Sequence, residues 1–288
     1  MKNEEEVKPS LKLENGYSPG TALIKNETGL ANKRIMVGVA LTGLIRAEWA
    51  LARYSQVTPC NWGQVETIQW IDQYSPIGFV VADARNIIVH HCVTQGYDWL
   101  FQIDHDVVLP PHTLITLNER MIEGKCPMWS GLYFTKSRPA EPLIFRKRSS
   151  GYVDDWKFGD KVWCDGIPSG CTMIHSSLLK VLYEESESYE VTRGLVVKRV
   201  YDTPAKMWFD PETSHVWGVT GTEDMELCKR IMEEDIFTKA GWPDYAEKEY
   251  PFMVDTGIFC RHIDHAGHQF PIGGEEQRYT PEEKKEES

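Results

Sequence analysis

The run Arg34-Ile-Met-Val-Gly-Val-Ala-Leu41 is nearly all apolar, without the polar alternation of a strand that has one wet face. Such a run reads as a strand covered on both sides, and strands of that kind belong to parallel sheets with helices on each face. The chain downstream continues the pattern. A helical stretch is expected over 44–54, where Trp49, Leu51 and Ala52 alternate with Arg46, Glu48 and Arg53. A short strand is expected over 78–81. Asp83 is placed to cap a helix over 84–95, and Gly96 to stop it. Residues 97–103 form a second buried strand. Pro110 and Pro111 start a helix whose Leu114, Leu117 and Met121 recur at helical spacing before Gly124, and 128–134 is a third strand. Alternating strands and helices specify an α/β layer structure with a mainly parallel sheet.

The second half is less regular. Strands are expected near 142–145, 162–164 and 252–259, and helices over 176–184 and from Thr222 to Glu233. Residues 186–206 form a polar excursion with a β-branched piece at 195–200. Hydrophobic residues make up 41% of the 288-residue chain and charged residues 26%, so a sizeable core forms and wholesale disorder is excluded. Residues 1–32 carry five acids against four bases and residues 274–288 six against three, and both ends read as solvated tails.

The net charge is −12. A protein whose main partner is a nucleic-acid backbone carries the opposite balance, so nucleic acid is not expected in that role. No apolar run reaches the roughly 18 residues a spanning helix needs. Met1 to Lys12 is polar and acidic, unlike a secretory signal, and a cytoplasmic location is expected. The seven cysteines are odd in number and lack CxxC spacing, which suits reduced, buried thiols and no zinc finger.

Asp104-His105-Asp106 carries the most chemical information. It closes a buried strand at its carboxyl end, where open α/β sheets place ligands. Two carboxylates presented together repel unless a cation or hydrogen-bond donors satisfy them, and a hard divalent cation shares such ligands with phosphate oxygens. Asp-x-Asp arises by chance about once in a chain this long, so its position matters more than its presence. Glu223-Asp224 opens a helix after Gly218-Val-Thr-Gly221. Acids there complement the helix dipole, and one of them could equally serve as a general base. His262, His265 and His268 follow the last strand, and one imidazole could complete the Asp104/Asp106 site. Arg85 could pair with Asp104 or face a phosphate. Trp129, Trp163, Trp208 and Trp217 read mostly as core, with one or two suited to stacking on a sugar. The chain has no GxGxxG, no GxxxxGK[ST] and no GxSxG.

The ordered pieces RIMVGVALTG, ADARNIIVHHCVTQGYDWLFQIDHDVVLPP, MWSGLYFTK, GIPSGCTMIHSSLL, the segment from WFDPETS to GTEDMELCKRI, and FMVDTGIFCRHIDHAGHQFP resemble the GT-A nucleotide-sugar glycosyltransferases. The likeness is to family-2-like, soluble members of phages and prokaryotes. It implies a Rossmann-like, mixed and mainly parallel sheet in one domain over 33–271. A nucleotide-sugar half spans 33–134 and an acceptor half 135–271, between a flexible segment 1–32 and an acidic flexible tail 272–288. It also implies roles. Asp104 and Asp106 correspond to the DXD pair holding Mn2+ or Mg2+ on the donor diphosphate, with His262 as a late metal ligand and His265 as the alternative. Asp224 corresponds to the base of inverting members, with Glu223 as neighbour or alternative. Thr42, Gly43 and Arg85 fall on the donor side, and Gly170 and Cys171 border the acceptor. The implied donor is a UDP- or GDP-sugar and the acceptor a hydroxyl on a glycan, protein or small molecule. The chain departs from the family after the first strand, where Ala40-Leu-Thr-Gly43 replaces the usual Pro and acid, and it lacks the QxxRW motif of processive synthases. A metal-dependent nucleotidyltransferase or hydrolase on a similar scaffold, and an inactive sugar-binding relative, are the competing readings.

Overall fold

A computed structural model describes residues 33–57, 68–147, 153 and 155–280. The expected N-terminal segment 1–32 and the chain from 281 lie outside the described residues. The first half is built from β1 (Lys33–Ala40), α1 (Ala47–Tyr54), β2 (Ile68–Tyr74), α2 (Val81–Thr94), β3 (Trp99–Asp104), β4 (Val107–Val108), α3 (Thr113–Glu123) and β5 (Met128–Leu132). The second half adds β6 (Lys161–Cys164), β7 (Cys171–His175), α4 (Ser176–Glu185), β8 (Ser188–Thr192), β9 (Leu195–Lys198), β10 (Ala205–Asp210) and β11 (His215–Thr220). It closes with α5 (Glu223–Glu233), α6 (Ile236–Lys239), α7 (Pro243–Ala246), β12 (Phe252–Phe259), β13 (Arg261–Ile263) and β14 (Gln269–Phe270).

The central sheet has seven strands in the order β2-β1-β3-β7-β5-β12-β6. Strand β1 pairs in parallel with both β2 and β3, and β12 pairs in parallel with β5. Strands β7 and β6 run the other way. The fold is therefore the expected mixed α/β class with a mainly parallel sheet. The chain leaves β1 toward β2 on one side and returns as β3 on the other. That reversal opens a crevice outside the carboxyl ends of β1 and β3, where α/β sheets bind ligands. The apolar β1 run is buried as its sequence requires, with Ile35, Met36 and Val39 fully enclosed. Helix α2 lies so close over it that a Cβ at Gly38 would collide with the Ile88 side chain.

Several expectations are corrected. No strand forms over 78–81: Ile77 makes a single bridge to Leu41, and Val81 already begins α2. Asp83 does not cap that helix but sits in its first turn, where it accepts the Tyr189 hydroxyl at 2.7 Å. The stretch 142–145 contributes isolated bridges only. Trp208 belongs to a two-stranded hairpin, β10–β11, where Met207, Trp208, Phe209 and Val216 are largely exposed. Residues 272–280 are not a free tail. A 3-10 turn over Glu275–Tyr279 buries Tyr279 face to face on Trp156, with ring centroids 4.0 Å apart, and Arg261 pairs with Glu276. The six described cysteines are buried free thiols. Among the described residues, no helix is long and apolar enough to cross a membrane.

Candidate active site

Strand β3 delivers Asp104 to the crevice, and the turn after it delivers His105 and Asp106. The strand end is pinned from three sides. The Asp104 N–H donates to the Gly170 carbonyl at 3.0 Å, the Trp49 indole donates to the Asp104 carbonyl at 2.8 Å, and the Ile263 N–H donates to the Asp106 carbonyl at 2.8 Å. The last of these belongs to a small antiparallel ladder. Strand β4 follows the Asp106 turn directly and pairs with β13, setting His262 opposite Val107. Main-chain pairing of two very short strands thus carries a late histidine to the acidic turn.

His262 Nδ1 donates to the Phe134 carbonyl at 2.8 Å. A carbonyl can only accept, so Nδ1 carries the proton and the ring orientation is fixed. Nε2 then faces Asp106 Oδ2 at 3.6 Å. A proton on Nε2 would donate to that carboxylate, and a bare Nε2 would offer its lone pair to a cation held between the two. The Lys136 ammonium sits on the same Oδ2, 2.5 Å away. Burial would raise the Asp106 carboxyl, but His262 and Lys136 outweigh it and hold the group well below the usual carboxylate range. His265 lies in the exposed turn beyond and faces no acid of the site; its carbonyl accepts from Arg46 at 3.0 Å. Of the two candidate histidines, only His262 is brought to Asp106.

Arg85 rises from the second turn of α2 and is almost wholly buried. Its guanidinium donates to Asp104 Oδ1 at 2.8 Å and to Glu223 Oε1 at 2.5 Å. One cation therefore ties the end of β3 to the start of α5. Burial alone would lower the Arg85 pKa, but Asp104, Glu223 and Asp224 raise it, so the charge is permanent. Glu223 is pushed above its ordinary value by burial, against the pull of Arg85. Committed to Arg85, Glu223 is a structural anchor. Asp224 is half-buried, accepts the Met225 N–H at 2.8 Å and faces the crevice.

Two adjoining hollows follow. One, of about 190 Å³, is lined by Ala40, Leu41, Thr42, Phe79, His105 and Asp106. The other, of about 310 Å³, is lined by Arg85, Tyr133, Phe145, Glu223, Asp224 and His262 among others. Val81 and Asp104 belong to both, so the acid is a shared wall. Gly43 is exposed beside the first hollow in a left-handed conformation, φ +110°. Gly170 stands behind the second. Its N–H donates to the Tyr133 hydroxyl at 2.8 Å, and any side chain there would collide with that ring. Cys171 is not brought to either hollow. It opens β7 fully buried, its thiol hydrogen-bonded with that of Cys260, because β7 lies in the middle of the sheet and is covered on both faces. Sequence reasoning missed Lys136 and Tyr133. A lone exposed lysine gives no pattern, and Tyr133 could have been suspected only from its place at the end of a buried strand.

Neither a family model nor a curated protein sequence matches the chain. Solved structures give distant likenesses. The crystal structure of A197 from STIV is 14% identical over 81% of this chain and 86% of that one, at a TM-score of 0.43. S. aureus TarS 1–349, solved in complex with UDP, is 13% identical over 51% of this chain and 48% of that one, at 0.29. A longer TarS structure is 12% identical over 79% of this chain but only 36% of its own length, at 0.34. TM-scores this low carry no functional assignment.

Proposed function

We propose that the protein is a metal-dependent glycosyltransferase of the GT-A kind. It moves a sugar from a nucleoside-diphosphate sugar, a UDP- or GDP-sugar, to a hydroxyl acceptor with inversion. The supporting observation is the shared wall. A donor seated against Thr42 and Phe79 would carry its diphosphate past Asp104 and Asp106 and its sugar toward Asp224.

The residues present fit a divalent cation. Asp106 and His262 turn a carboxylate oxygen and a ring nitrogen toward one point and would hold Mn2+ or Mg2+ there together with donor oxygens. Among the described residues no group of three or more His, Cys, Asp or Glu side chains is gathered to hold a metal, so this pair needs the donor's oxygens to complete the set. A cation held there would supply positive charge opposite the leaving diphosphate. The chain does the rest. Arg85 fixes one Asp104 oxygen, leaving the carboxylate to accept from donor hydroxyls. Asp224 takes the proton from the acceptor hydroxyl as its oxygen attacks the anomeric carbon from the side opposite the diphosphate. Tyr133 and Phe145 line the hollow beside Asp224 that would take the acceptor.

The test is thermal unfolding with a panel of nucleotide sugars, with and without Mn2+, on wild type and Asp106→Ala. One donor is expected to stabilise wild type only when Mn2+ is present, by about 2.7 kcal/mol at a hundredfold excess over Kd, and to leave the variant unmoved. A folded wild type that no donor shifts returns the site to the hydrolase or sugar-binding reading.

A further inference from the structure

We infer that Lys136 is the diphosphate-binding residue of this site, held on Asp106 until a diphosphate arrives. The inference rests on the transferase reading above and names a contact that reading leaves open.

Lys136 lies in the loop after β5 and reaches the Asp106 turn. Two residues earlier, the Phe134 carbonyl holds His262 Nδ1. One short segment therefore aims the imidazole at Asp106 Oδ2 and sets an ammonium on that same oxygen. The loop is anchored around Lys136 rather than through it. The Thr135 hydroxyl bonds that of Ser137, and the Thr135 N–H donates to the Glu141 carbonyl at 2.9 Å. The lysine side chain is 32% exposed, and its flexible four-carbon stem lets the ammonium swing without moving the backbone.

Lys136 and a divalent cation compete for one oxygen. An ammonium left on Oδ2 beside a dication would face unrelieved repulsion. The anion that accompanies the cation into the cleft is the donor diphosphate, which offers several charged oxygens within reach of the same loop. The ammonium therefore passes from carboxylate to phosphate as the cation takes its place. A lysine is a common phosphate ligand acting as a point charge. The exchange makes uptake of cation and of diphosphate interdependent: the cation alone must displace a lysine, while the cation with diphosphate gives that lysine a new partner.

Lys136→Met and Lys136→Arg test this by titration. Mn2+ alone is followed by electron paramagnetic resonance, and UDP and GDP with saturating Mn2+ by calorimetry. Lys136→Met is expected to bind Mn2+ alone several-fold more tightly than wild type. It should bind the nucleoside diphosphate about tenfold more weakly, from loss of one charge-assisted contact. Lys136→Arg should recover most of the nucleotide affinity. Opposite signs in the two titrations separate a ligand exchange from general damage to the loop, which would weaken both. If wild type binds UDP or GDP with Mn2+ and Lys136→Met matches it in both titrations, or weakens both, the assignment is wrong while the transferase reading stands. If wild type binds neither nucleotide, both are overturned.

Discussion

Asp224→Asn is expected to lower kcat by about 10²- to 10⁴-fold while leaving donor binding and the unfolding midpoint where they are. The substitution keeps the shape and removes only the ability to take a proton. The residue can be spared structurally. It is half-buried at the first turn of α5, and its recorded bond is to the adjacent Met225 N–H. The anchoring of that helix falls to Glu223, which is paired with Arg85. Single-turnover rates on saturating donor, with thermal melts of the same samples, make the comparison. A variant that turns over at the wild-type rate would remove Asp224 from the chemistry.

Arg85→Met is expected to cost about 3–5 kcal/mol of folding stability, because it leaves Glu223 buried without its cation. Asp104 is less exposed to this loss, since its side chain reaches solvent at 27%. The double variant Arg85→Met/Glu223→Met should regain much of the deficit, because a buried charge then no longer needs compensation. The pH dependence adds a signature. Glu223 already has a raised pKa, so stability linked to its protonated form is complete below its ordinary value of 4.5 and is lost as pH rises through the folded value. Without Arg85 that folded value rises further. The single variant's deficit should therefore be largest at neutral pH and shrink on acidification. Urea unfolding at several pH values measures it, and a change within about 0.5 kcal/mol, typical of surface substitutions, would deny Arg85 its bridging role.

Much of the first half of the fold was legible because each element there carries its own signal. The apolar β1 run, the helical spacing in α3 and the glycines that end α2 and α3 in left-handed turns are local features. The second half hides its logic in pairing between distant segments. Nothing in Cys171-Thr-Met-Ile-His175 announces that it inserts antiparallel between β3 and β5. The short mixed run Ile68–Tyr74 likewise gave no sign of the edge strand beside β1.

The site divides in the same way. Asp104 and Asp106 could be placed from the sequence because a buried strand ends at them, and Arg85 was a candidate partner for Asp104. The choice of His262 over His265 required β13, three residues long and without periodicity of its own. The resemblance set Cys171 beside the acceptor, whereas its thiol is inside the sheet. Lys136 had no sequence signal, since its meaning lies entirely in the oxygen it shares with His262.

The most direct measurement is proton NMR of the reaction mixture once a stabilising donor is found. Inverting transfer predicts that one nucleoside diphosphate is released for each new glycosidic linkage, whose anomeric configuration is opposite to that of the donor sugar. A linkage with retained configuration contradicts the role given to Asp224. Nucleoside monophosphate as the product contradicts sugar transfer altogether.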